Sequence, residues 1–143
     1  MRQLPLLVKT SAQNNLTAHH KVEISFRSEN IPPGLSREVS LCLYRILQEA
    51  LQNAMKHSGS QHVRVLLNGF TNEVELNVRD VGKGFEPEQA FQKSGIGLSS
   101  MRERLKLVNG KFSVNSELGR GTTISARVPL SPKARQINGA ERA

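Results

Sequence analysis

Four short segments hold residue types whose spacing suits one polyanionic ligand: Glu49-x-x-x-Asn53-x-x-Lys56-His57, Asp80-x-Gly82-x-Gly84, Gly95-x-Gly97-Leu98 and Gly121-Thr122-Thr123. A helix advances about 100° per residue, so Glu49, Asn53 and Lys56 fall in one narrow row with His57 beside it. Leu43, Ile46, Leu47, Ala50, Leu51 and Ala54 lie mainly on the other side. A carboxylate and an amide oxygen one turn apart are ligands for a hard cation, and an ammonium next to them meets phosphate charge directly. The same row also fits the solvated face of an amphipathic helix.

Asp80 closes an alternating run and is followed by Gly82 and Gly84. A strand-end carboxylate backed by glycines can accept a hydrogen bond from an exocyclic amine, worth about 1.5–3 kcal/mol and enough to choose adenine over guanine. Standing alone it also fits an aspartate in a glycine turn. Gly95 and Gly97 precede a helical pattern, where the missing side chains let backbone N–H groups approach phosphate. Neither a Walker loop nor a dinucleotide fingerprint is present. Thr122 and Thr123 open the last strand, where β-branched residues are expected anyway; a hydroxyl there can reach a base or its bridging water. Together the segments supply a cation ligand, a base-reading carboxylate and two permissive loops, the parts that ATP with Mg2+ requires.

The elements that must position these residues follow from periodicity. Gln3 to Leu16 reads as a short helix, and Val22, Ile24 and Phe26 as a half-buried strand. The longest helical pattern runs from Ser36, its N-cap, to about His57, with Gly59 as a left-handed cap. Val63, Val65 and Leu67, then Val74, Leu76 and Val78, alternate on either side of a hairpin connection at Asn68 to Asn72. A turn of helix is expected at Pro87 to Phe91. A second helix runs from Leu98 to Val108 on Leu98, Met101, Leu105 and Val108, ending at Asn109-Gly110. Strands Lys111 to Glu117 and Thr122 to Val128 flank the Gly119-Arg120-Gly121 turn. Alternation in every strand predicts a sheet with one apolar and one wet face. The fold class is therefore an α/β (α+β) two-layer sandwich, its mixed sheet covered on one face by helices.

Composition narrows the function classes. The 143 residues make one domain, and 37% hydrophobic content fits a globular chain. The longest apolar run, Leu4 to Val8, is broken by Pro5 and cannot span a membrane, and no signal peptide is read at Met1-Arg2. The single cysteine, Cys42, excludes an internal disulfide, sits in a helical apolar pattern as packing, and makes a reducing cytoplasmic setting the expectation. The net charge is +8, but the cations are scattered, with no Trp and one Tyr, so no nucleic acid is expected as a partner.

The combination resembles the catalytic ATP-binding domain of bacterial sensor histidine kinases, in the GHKL superfamily with gyrase, the large heat-shock chaperone and mismatch-repair ATPases. The resemblance covers roughly Leu35 to Pro129 and is nearest the nitrate-sensor-like subgroup. Leu43-Tyr44-Arg45-Ile46-Leu47-Gln48-Glu49-Ala50-Leu51-Gln52-Asn53-Ala54-Met55-Lys56-His57 is similar to its N box almost throughout. Gly95-Ile96-Gly97-Leu98-Ser99-Ser100-Met101-Arg102-Glu103-Arg104 is similar to its second glycine box and following helix.

The resemblance implies that Asn53 ligates Mg2+, and that Glu49 orders the metal's water shell or assists proton movement. Lys56 would contact phosphate and His57 the ribose or base. Asp80 would read the adenine amine in a pocket shaped by Gly82 and Gly84. Gly95, Gly97 and Leu98 would frame a short lid, Phe85 to Ser94, over the triphosphate. It implies an ATP-binding catalytic domain over 1–131 with its core at 35–129, residues 132–143 being a disordered basic tail. The γ-phosphate would pass to a histidine on a dimerisation/phosphotransfer domain, with a response regulator downstream and no direct membrane contact by this segment. His19-His20 is followed by Lys21 rather than an acid and reads as loop, so the acceptor histidine lies elsewhere. Alternatives are a stand-alone serine kinase of the anti-sigma-factor type and a non-catalytic nucleotide-binding module.

Overall fold

The computed structural model describes residues 23–55, 62–82 and 97–130. Within them the order is β1 (Glu23–Glu29), α1 (Arg37–Asn53), β2 (His62–Gly69), β3 (Glu73–Asp80), α2 (Leu98–Lys106), β4 (Lys111–Glu117) and β5 (Gly121–Pro129). The strands form one five-stranded sheet in the order β1-β2-β3-β5-β4, with β1 parallel to β2 and every other pairing antiparallel. Both helices lie against one face, α1 on β3 and β5 and α2 on β4 and α1. This is the mixed, two-layer sandwich that the alternation predicts. The expected helices at Gln3–Leu16 and Pro87–Phe91, the Gly59 cap, Val22 and the tail lie outside the described residues.

Registered residues of adjacent strands share a face, so the inner face reads as cross-sheet rows. One row is Phe26, Val65, Val78, Ile124 and Val114, and the next is Ser28, Leu67, Leu76, Ala126 and Phe112. Helix α1 covers this face with Leu43, Ile46, Leu47, Ala50 and Leu51, all buried. Each fully buried Leu or Ile here contributes about 1.5–3 kcal/mol relative to exposure. The last inner row differs in chemistry: Ile24, Val63, Asp80, Thr122 and Ser116.

Ser36 caps α1 as expected, its Oγ accepting from the Val39 N–H at 3.1 Å. Helix α2 ends two residues earlier than the periodicity suggests, because Asn109 adopts a left-handed φ of 58° and closes it. The Gly110 N–H donates to Leu105 O at 2.7 Å and the Asn109 N–H to Lys106 O at 3.2 Å, the paired bonds of a Schellman motif. No helix among the described residues is long and apolar enough to cross a membrane.

Candidate functional site

Chain direction explains why the motifs can meet. Parallel β1 and β2 require a crossover, so α1 must run back against the strands. Strand β1 starts beside His62 and Val63 and ends beside Asn68, so the C-terminal end of α1 returns to the edge where β2 starts. At that edge β3 ends in Asp80, β4 ends next to Ser116, and β5 begins with Gly121 and Thr122. Helix α2 runs antiparallel to α1. Cys42 Sγ contacts Arg104 O at 3.6 Å, while seven residues further along α1 and seven earlier on α2, Glu49 meets Gly97. The N-terminus of α2 therefore joins the same edge.

Asn53 is 8% exposed and Asp80 7% exposed. A solvated amphipathic face would leave the asparagine wet, so the solvated-face reading does not hold for Asn53. Asp80 Oδ1 accepts the Gly82 N–H at 2.9 Å, which turns the chain immediately after the strand. Beside Asp80 lies Thr122, and Thr122 Oγ1 meets Ser116 Oγ at 2.8 Å. Ser116 also donates to Gly121 O at 3.2 Å. The result is a strip of carboxylate and hydroxyls at the end of an apolar face. Ser116 belongs to none of the four motifs, although a serine closing the inward alternation Phe112, Val114, Ser116 is a signal for it.

Glycine roles differ from simple permissiveness toward a ligand. Gly97 has φ 78°, and a Cβ there would lie 2.5 Å from Glu49 Oε2. What fills the missing side chain's space is the Glu49 carboxylate. Helix α2 has no side-chain cap at Gly97, so the Glu49 charge stands at the positive end of its dipole. Gly121 has φ 90°, and a Cβ there would strike Asp80 O and come within 2.9 Å of Val81 Cα. Close approach of β5 to the end of β3 depends on that glycine.

The two threonines part company. Thr122 shares the inner row with Asp80, whereas Thr123 is registered with Arg79 and Asn115 on the outer face. Leu98 is buried at the start of α2. Lys56, His57, Gly84 and Gly95 lie outside the described residues. On the solvent side of the helices, a polar groove of about 300 Å³ runs between Arg45, Gln48 and Glu49 of α1 and Ser100 and Arg104 of α2. Cys42 is packing, as its pattern suggests: burial pushes its thiol pKa up, against an opposing pull from Arg104.

Residues 38–132 match the family described as histidine kinase-, DNA gyrase B- and HSP90-like ATPases. The chain belongs to that family. This GHKL domain is 37% identical over 115 residues to the signal transduction histidine-protein kinase/phosphatase DegS of Bacillus subtilis (strain 168), spanning 78% of the chain and 30% of the relative. It is 39% identical over 104 residues to the sensor histidine kinase LiaS of the same organism, 73% of the chain and 29% of the relative. With the oxygen sensor histidine kinase NreB of Staphylococcus carnosus (strain TM300) it shares 31% identity over 113 residues, 79% and 33% respectively. The chain thus spans about a third of each relative's length. In fold, the GHKL domain superposes on the histidine kinase domain of the blue-light activated histidine kinase from Erythrobacter litoralis EL346 with a TM-score of 0.71 at 19% identity, covering 95% of this chain and 65% of that one.

Proposed function

We propose that this domain binds ATP with Mg2+ and donates the γ-phosphate to a histidine on a separate dimerisation and phosphoacceptor domain, in a two-component relay leading to a response regulator. The observation that carries this reading is the meeting of Asn53, Glu49, Gly97, Asp80 and Thr122 at one edge of the sandwich. Kinship with sensor histidine kinases supports the transfer step.

The donor set fits the ligand. Mg2+ prefers one or two protein oxygens plus substrate phosphates to an all-protein cage. Among the described residues, no three His, Cys, Asp or Glu side chains gather at one point. The Asn53 amide oxygen and the Glu49 carboxylate would supply the protein's share. Asp80, buried and braced by Gly82, would accept a hydrogen bond from the adenine amine, and Thr122 beside it would take the base contact or its water. Gly82 and Gly84 would shape that pocket; Gly95, Gly97 and Leu98 would frame the triphosphate, with Lys56 on phosphate and His57 on ribose or base. Mg2+ held by Asn53 and Glu49 would supply charge neutralisation to the phosphates, so the chain's own task in phosphoryl transfer would be positioning. Glu49, packed against Gly97, would order the metal's water shell or assist proton movement.

Thermal denaturation with ATP, with and without Mg2+, tests the binding step. ATP raises the melting temperature modestly alone and more with Mg2+; no shift under either condition ends the enzymatic reading. Radiolabelled γ-phosphate tests the transfer. Acid-labile label should appear on an added two-helix acceptor domain and not on this chain, and self-labelling would implicate His19 or His20 instead.

A further inference from the structure

We propose that the outer face of the sheet carries an oxyanion site, built on Arg79, Thr123 and Asn115 and suited to a phosphate group. This face is opposite the Asp80 row. Arg64 and Arg79 stand directly opposite each other on β2 and β3, and both are exposed. Like charges in directly opposed positions destabilise a strand pair. Elsewhere on this face several charged groups are paired, although Lys111, opposite Arg127, has no carboxylate within ion-pair distance among the described residues. Arg127 meets Glu75 at 3.0 Å and Glu73 at 3.8 Å, Arg27 meets Glu29 at 3.1 Å, His62 lies 3.3 Å from Glu23, and Arg120 is 3.6 Å from Glu117. Among the described residues, neither Arg64 nor Arg79 has a carboxylate within ion-pair distance.

A cavity of about 250 Å³ opens beside Arg79, lined by Arg79, Thr123, Asn115, Arg120 and Glu117 and reaching Gly121 and Thr122 at the start of β5. Thr123 is registered between Arg79 and Asn115, so a guanidinium fork, a hydroxyl and a carboxamide stand in one row across three strands. Guanidinium forks pair bidentately with phosphate oxygens, and hydroxyl and amide N–H groups complete a tetrahedral acceptor's shell. Glu117 is engaged by Arg120, which reduces its repulsion toward an incoming anion. The space admits a phosphate group, free or carried as a monoester.

The test is an NMR titration of the isotope-labelled chain with inorganic phosphate, against sodium chloride at matched ionic strength because exposed charges are screened. Saturable amide shifts are expected at Arg79, Asn115 and Thr123. Arg79→Gln should weaken this binding about tenfold, while Arg127→Gln, already neutralised, should leave it unchanged. Phosphate entering the ATP site instead would move Asp80, Gly82 and Gly97 and would persist in Arg79→Gln, a result that overturns the outer site. Shifts that grow linearly without saturation overturn it as well. A parallel titration with phenyl phosphate names the source. Tighter binding of the ester supports a phosphomonoester, and tighter binding of inorganic phosphate supports the free ion. An unchanged amide spectrum in each variant excludes unfolding as the cause of lost binding.

Discussion

Glu49 and Gly97 occupy one space: a Cβ built on Gly97 would stand 2.5 Å from Glu49 Oε2 and 2.7 Å from its Cγ and Cδ. One residue comes from the C-terminal third of α1 and the other opens α2, so this contact fixes how the helices meet at the candidate site. Gly97→Ala meets both a left-handed φ and a steric overlap, and should destabilise the domain by about 2 kcal/mol or more. Glu49→Ala removes the overlap but not the backbone strain. The double variant should therefore be more stable than the sum of the single effects allows, by at least about 0.5 kcal/mol in urea denaturation. Strict additivity would show that the two residues do not share this space.

Asp80→Asn should separate recognition from folding. An asparagine Oδ1 can still accept the Gly82 N–H, so stability should change by no more than about 1 kcal/mol. The charge that would hold the adenine amine is gone, so calorimetry should find ATP binding weakened by about 10- to 100-fold, with preference over GTP lost. Unaltered ATP affinity would remove Asp80 from the base pocket.

Gly119 and Gly121 form an internal control, since both have left-handed φ, 84° and 90°. A Cβ on Gly119 meets nothing within 4 Å, whereas one on Gly121 strikes the end of β3. Gly119→Ala should cost about 1 kcal/mol, the backbone term alone. Gly121→Ala should cost clearly more and should also weaken ATP binding by shifting Thr122 away from Asp80. Equal costs for the two would show that β5 can move aside freely.

Cys42 sets a pH dependence of definite sign. Its thiol pKa is raised in the folded chain by burial, so the folded state holds the proton more tightly than the unfolded state does. Its stabilising term is intact below the ordinary thiol value of about 8.5 and is lost as pH rises through the raised folded value. Stability should fall across this alkaline window in the wild type and fall less in Cys42→Ala. Alkylation by iodoacetamide at pH 8 should be slow in the native state and fast in denaturant.

Much of the fold was legible because its signals are local. Inward Val and Leu at every second position declare a strand wherever its partners are, and Ser36 announces a helix start through its own bond to Val39. The boundary of α2 was harder, since the stripe continues to Val108 while the left-handed turn at Asn109 ends the helix first. Of the candidate site, Glu49, Asn53 and Asp80 stand out by residue type and spacing, their roles there being proposals. Ser116 does not, because a lone serine has no meaning until its strand is registered against Thr122.

Residue order alone determined which side of each element turns inward and which side chains offer ligand chemistry, since both depend on periods of two or 3.6 residues along the chain. Only the tertiary structure decided that β5 inserts between β3 and β4, bringing Thr122 beside Asp80, and that α2 crosses α1 with Gly97 on Glu49. Those neighbours are separated by 42 and 48 positions in the chain. What brings them together is the burial of one shared apolar face, a property of all the elements at once that no local period encodes.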